Sequence, residues 1–197
     1  MLALLAERRQ TVAQAQAVAR DLAGPHRLDL GRPWGLNLGS NERVLFHGPS
    51  GYARYYGMST TYSQTSGFFY GSPLFVVAGL GLTAAANRSR RNAAVRLAVE
   101  QWRELQVTEY VVTEQRVLVH HVDGRWLTFD FSAVVSFYPR LENETVFLEF
   151  SDAEPLRIQG PASAVTSVVA VWHAHGSQGL REHPGLAPLR VPTPVGS

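Results

Sequence analysis

The sequence predicts an α+β fold: an antiparallel β meander closed by a C-terminal helix, with an N-terminal helix and a long inserted helix. Three observations carry this. From Val107 onward, short β-branched and aromatic runs alternate with turn signals. Gly160-Pro161 then opens a stretch where Val165, Val168, Val169 and Trp172 share one helical face. Upstream, residues 72–106 read as one helix without a stop signal.

In chain order, residues 2–23 carry Leu5, Val12, Ala15, Val18, Ala19 and Leu22 at helical spacing, and Gly24-Pro25 stops the run. The stripe is thin and Ala-rich, so this helix (residues 1–24 as a unit) needs something to pack against. Residues 25–40, with Pro25, Gly31, Pro33, Gly35 and Gly39 around a lone Trp34, read as a linker. Asn41–His47 reads as a strand, Gly48-Pro49-Ser50-Gly51 as a turn, and Tyr52–Tyr56 as the returning partner.

No charge occurs from Tyr55 to Asn87. Ser72-Pro73 supplies an N-cap and a first-turn proline. The helix expected from there is apolar on all sides over Leu74–Ala86 and amphipathic beyond, to about Gln106. In the meander, Asp123-Gly124 is a hairpin turn. Leu127, Phe129 and Phe131 alternate with Trp126, Thr128 and Asp130, and Val134–Tyr138 continues the pattern. Turns at Leu141–Asn143 and Asp152–Pro155 bracket Val146, Leu148 and Phe150, with Leu156 and Ile158 beyond. Gly176 is expected to end the last helix and residues 177–197 to form a flexible tail.

At 197 residues, with 45% hydrophobic and 17% charged residues, the chain can bury a substantial core. All 18 basic residues are Arg, and the net charge of +2 gives no electrostatic footprint for nucleic acid. Without cysteine there is no disulfide or thiolate chemistry. Leu2–Ala6 precedes Glu7-Arg8-Arg9, the reverse of a secretory signal's order, so a cytoplasmic setting is expected.

Gly79-Leu80-Gly81-Leu82-Thr83-Ala84, with Glu100 downstream, is similar to a dinucleotide fingerprint. Ser72-Pro73 already starts a helix before it, however, and a meander rather than a βαβ unit follows. Close helix packing at Gly79, Gly81, Ala84 and Ala85 accounts better for the small residues. Arg88, Arg90, Arg91 and Arg96 are candidate anion or lipid contacts; the alternative is a solvated helix face paired with Glu100 and Glu104. Pro73–Ala86 would span roughly 21 Å at ~1.5 Å per residue, short of the ~30 Å hydrocarbon core. Membrane association through residues 67–91 stays open beside burial within the protein.

His120 and His121 are strand neighbours that point to opposite faces, and His173 and His175 diverge on a helix, so no metal site is expected. Ser50 lacks the spacing of a nucleophile elbow. No catalytic residues and no cofactor are assigned.

Asn41–Leu45, the run Val112-Thr113-Glu114-Gln115-Arg116-Val117-Leu118, and Leu156–Trp172 resemble, in turn, the opening strand, the strand–turn–strand core, and the last strand with closing helix of bacterial pleckstrin-homology-like (GRAM-like) domains. The resemblance covers about residues 41–56 and 107–175. It implies a partly open barrel or sandwich over residues 41–176, with the helix at about 72–106 as an insertion. It also implies a non-enzymatic interaction module. Phosphoinositide-binding members carry several basic residues in the first hairpin loop. His47–Gly57 offers only Arg54, so head-group binding is not carried over. The expected partner is another protein or a second copy, not nucleic acid, with the membrane reading as the alternative and a small enzyme or nucleotide binder using Gly79–Ala84 as the third.

Overall fold

The computed structural model describes residues 2–24, 28–56 and 101–190, with the side chains of the first helix described from Ala6. The elements are α1 (Leu2–Ala23), β1 (Val44–Tyr56), β2 (Gln101–Thr113), β3 (Arg116–His120), β4 (Trp126–Asp130), β5 (Val134–Arg140), β6 (Thr145–Phe150), β7 (Leu156–Gln159), α2 (Pro161–Glu182) and α3 (Ala187–Arg190). The fold is the expected α+β class. Its seven strands form one antiparallel sheet in the order β4-β3-β2-β1-β7-β6-β5. β4 and β5 lie at its two edges, so the sheet does not close into a barrel. That is consistent with a partly open sandwich.

The alternation anticipated in the meander sets the faces. Val117, Val119, Phe129, Phe131, Val146, Leu148, Phe150, Leu156 and Ile158 point inward and are buried. Helix α2 lies on this inner face and α1 packs over α2. Being covered on both sides, α2 is buried all round from Ala162 to Val171, not along one stripe. The thin stripe of α1 (Ala15, Val18, Leu22) finds its cover there. Ser50 has a structural role: its Oγ accepts the Ala162 amide at 2.9 Å, satisfying one open donor at the start of α2.

Several expectations need correction. Gly48-Pro49-Ser50-Gly51 is no turn; β1 runs straight through it. β7 pairs with β1 only over Gly51–Arg54, so Pro49 sits where that side of the strand is unpaired and its missing N–H leaves no rung broken. The helix expected to reach Gln106 gives way at Gln101 to a strand, which pairs with β1 down to Tyr56↔Gln101. Ladder formation along a thirteen-residue partner overrides local helix propensity. The rest of that expected helix, up to residue 100, lies outside the described residues.

Gly176 breaks the helical run as expected (φ 59°, ψ −154°), but a second helical segment follows it within the span of α2. The stretch expected as a flexible tail is helical to Glu182 and again over Ala187–Arg190, because Leu180, Leu186 and Leu189 are buried against the rest of the protein. Residues 191–197 lie outside the described residues.

Trp172 shares a helical face with Val165 and Val168, which predicts a core anchor; it packs against the core but stays half-buried, edge-on to His173 at 5.2 Å. Trp172→Ala is therefore expected to cost about 1–2 kcal/mol, below the ~3–5 kcal/mol of a fully buried tryptophan. Urea unfolding measures this; a loss above ~3 kcal/mol would return Trp172 to the core.

Candidate interaction surface

Leu148, Leu156 and Ile158 are fully buried on the inner face, so their strand neighbours Phe147 and Arg157 project from the outer one. Phe147 stands opposite both Tyr138 and Arg157, and Arg157 stands opposite Ala53. The small side chain of Ala53 leaves room on this face for the indole of Trp102. That ring lies 5.3 Å from Tyr55 and 5.4 Å from Phe147. The Arg157 guanidinium sits 5.3 Å over it. Tyr55 and Tyr138 are exposed, at 36% and 48%, while Trp102, Phe147 and Arg157 are half-buried. The result is an aromatic row on a rigid sheet, with a cation stacked at its centre. Arg157 makes no ion pair among the described residues.

A second, polar cluster occupies the inner face near the same end of β1. Opposite Ala53, β2 carries a bulge between Arg103 and Gln106, and Glu104 adopts a left-handed conformation there (φ 56°). This turns its carboxylate inward to accept hydrogen bonds from Tyr52 Oη at 3.3 Å and Tyr56 Oη at 2.6 Å, with His121 Nε2 at 3.5 Å. Burial, then the Glu104 hydrogen bond and charge, push the Tyr56 phenol up to about 12. Burial pushes Tyr52 higher still, despite the nearby Arg54 charge. Both phenols are therefore donors at neutral pH, and their bonds to Glu104 clasp the bulge, while His121 Nε2 and Gln106 Nε2 are buried there without a hydrogen-bond partner among the described residues. Nearby, Arg54 lies 4.8 Å over the Phe129 ring and pairs with Glu154 at 3.0 Å.

The sequence-predicted positions fare unevenly. Arg88, Arg90, Arg91, Arg96, Gly79, Gly81, Ala84, Ala85 and Glu100 lie outside the described residues. Glu104, expected to pair with the arginines on a helix, instead bonds two tyrosines from a strand. His120 stacks beside Trp126 (5.0 Å) and His121 meets Tyr52 (5.8 Å), on opposite faces as anticipated. His173 Nε2 donates to the Glu114 carbonyl at 2.6 Å. His175 stacks with His183 at 5.9 Å beside Phe137. Burial, then the charges of His175 and Arg190, hold the His183 pKa below its usual value. Among the described residues no three His, Asp or Glu side chains gather as metal ligands.

The aromatic row is not legible in the sequence because the local pattern places Trp102 on a helix, and Tyr55 lies far from it in the chain. The available signal was symmetry: aromatic residues flank residues 57–100 on both sides, at Tyr55-Tyr56 and Trp102. The chain matches no family model, no curated protein and no solved structure. No helix among the described residues is long and apolar enough to cross a membrane.

Proposed function

We propose that this chain is a non-enzymatic, pleckstrin-homology-like interaction module that docks a protein segment on the outer aromatic row. The strand order and the helix packed on the inner face support the pleckstrin-homology-like reading. A cytoplasmic setting belongs with it.

The observation that carries the docking surface is the stack of Tyr55, Trp102 and Phe147 under an Arg157 that pairs with no carboxylate among the described residues. Tryptophan, tyrosine and arginine are the residues that dominate binding hot spots, and a sheet presents them with little conformational freedom left to lose. The Arg157 cation, stacked on the Trp102 ring, selects the partner: a segment bearing an aromatic or aliphatic side chain next to an Asp or Glu. The membrane alternative meets a topological constraint. Residues 67–91 lie within a connection whose ends face each other at Tyr56↔Gln101. A single crossing would leave the chain on the wrong side to return there.

Selection of a phage-displayed random peptide library on the full-length protein tests the proposal. Enriched peptides should combine an aromatic residue with Asp or Glu. They should bind Trp102→Ala and Arg157→Ala about thirtyfold more weakly, a hot-spot loss of about 2 kcal/mol, while circular dichroism shows both variants folded. Peptides that bind Trp102→Ala as well as the wild type would overturn the surface. A protein that enriches no peptide but floats with phosphatidylcholine–phosphatidylserine vesicles would overturn it in favour of a membrane role.

A further inference from the structure

A different part of the molecule displays a single tryptophan. The segment leading from α1 into β1 is held by a polar frame. The Asp29 carboxylate accepts the amides of Gly31 (3.0 Å) and Val44 (3.2 Å), and the Leu30 amide donates to the Val44 carbonyl (2.9 Å). The Arg32 guanidinium donates to the carbonyls of Leu38, Gly39 and Ser40 at 3.2, 2.6 and 2.9 Å. Glu42 accepts the Gly39 amide at 2.9 Å. At the tip the chain turns through Pro33-Trp34-Gly35, with Gly35 at φ 84°. Leu38 anchors the base in a small outer cluster with Val44, Val111 and Leu118, yet Trp34 is fully exposed. A frame this tied leaves little flexibility to lose on binding, so the indole is preorganised as a knob.

The same chain carries a matching hole. Among the described residues, an open groove of about 240 Å³ lies between α1 and the C-terminal segment, floored by Ala19, Leu180, Leu186 and Leu189 and flanked by Gln16, whose amide donates to the Leu189 carbonyl at 2.7 Å. Arg20 and Arg190 stand on its rim, placed to meet an aromatic face. Its volume admits an indole, and its apolar floor and cationic rim suit one. Trp34, being fully exposed, does not fill the groove of its own chain.

We infer that Trp34 of one copy seats in the groove between α1 and the C-terminal segment of a second copy. Knob and groove are different patches, so the contact is heterologous and leaves a free knob and a free groove at either end. One indole in one groove buries far less than the ~1,200 Å² of a stable interface, so association is weak and grows with concentration. This proposal shares no residue with the aromatic row, and Trp102→Ala should associate like the wild type.

Sedimentation velocity of the full-length protein from roughly 10 to 500 µM provides the test. The wild type should shift to larger species with concentration, while Trp34→Ala, which lacks the knob, and Ala19→Phe, which fills the groove, should each stay monomeric. Mixed in equal amounts, the two variants should associate again and stop at a dimer, since each retains the half the other lost. Should Ala19→Phe not fold, Arg190→Glu replaces it, with association weakened severalfold. A wild type that stays monomeric, a Trp34→Ala that associates unchanged, or a mixture that stays apart would each overturn the contact.

Discussion

Replacing Glu42 by alanine is expected to cost the fold about 3 kcal/mol, because one carboxylate holds three parts of the chain together. Its oxygens accept both Arg116 Nε and the terminal guanidinium nitrogen at 2.8 Å, the Thr113 hydroxyl at 2.9 Å and the Gly39 amide at 2.9 Å. Thr113 Oγ1 in turn accepts the amides of Gln115 and Arg116, closing the β2–β3 turn. Alanine would leave the Gly39 amide without its acceptor and Arg116 without its counter-charge, and the Thr113 hydroxyl with only the Arg116 carbonyl at 3.2 Å, with water reaching only part of the site. Glu42→Gln should lose about 2 kcal/mol, since its NH₂ would face donors.

The same residue predicts a pH dependence. Burial raises the Glu42 pKa, but the Arg116 hydrogen bond, the Gly39 amide, the Thr113 hydroxyl and the Arg116 charge together hold it below 4.5. A carboxylate depressed in the folded state stabilises it fully above the unfolded value, and that stability is lost as pH falls through the folded value. Urea midpoints measured from pH 7 downward should show the gap between wild type and Glu42→Ala constant above about 5 and narrowing below 4.5. A gap that does not change with pH would show that the carboxylate's charge contributes nothing.

Leu148→Ala should be comparably severe, at about 2–5 kcal/mol. Leu148 is fully buried in β6, opposite Leu156 on one side and Phe137 on the other. Helix α2 lies over it, and α2 is itself held down by α1, so the surroundings cannot settle into the space left behind. The denaturation midpoint should fall with an unchanged slope. Val135→Ala, on the edge strand and 66% exposed, should move it by less than about 0.5 kcal/mol. If the two variants proved equally mild, the inner face of β6 would not be core.

Much of this architecture was legible. The alternation of Val146, Leu148 and Phe150 with Phe147 and Glu149 assigned both faces of β6, and Asp123-Gly124 marked the β3–β4 hairpin through a turn that needs positive φ. The C-terminal helix was readable from Gly160-Pro161. The candidate surface was not. Tyr55, Trp102, Phe147 and Arg157 come from four strands, and no local spacing relates them. The Glu42–Arg116 pair spans the sequence in the same way, although its partner Thr113 stood within the motif that carried the family resemblance.

By itself, the sequence determined what depends on neighbours along the chain: strand periodicity, turn chemistry and helix starts, all written in the stereochemistry of adjacent residues. The tertiary structure alone decided which local preferences would be overruled. Residues 101–106 favour a helix until β1 offers them a ladder, and Gly48-Pro49-Ser50-Gly51 favours a turn until β2 holds it extended. The Gly- and Pro-rich stretch after Gly176 is polar in composition. Its three leucines order it because α1 and β5 leave apolar surface for them to cover. In each case the free energy of pairing or burial exceeds the few tenths to one kcal/mol per residue that local propensity supplies, and such partners are visible only in three dimensions.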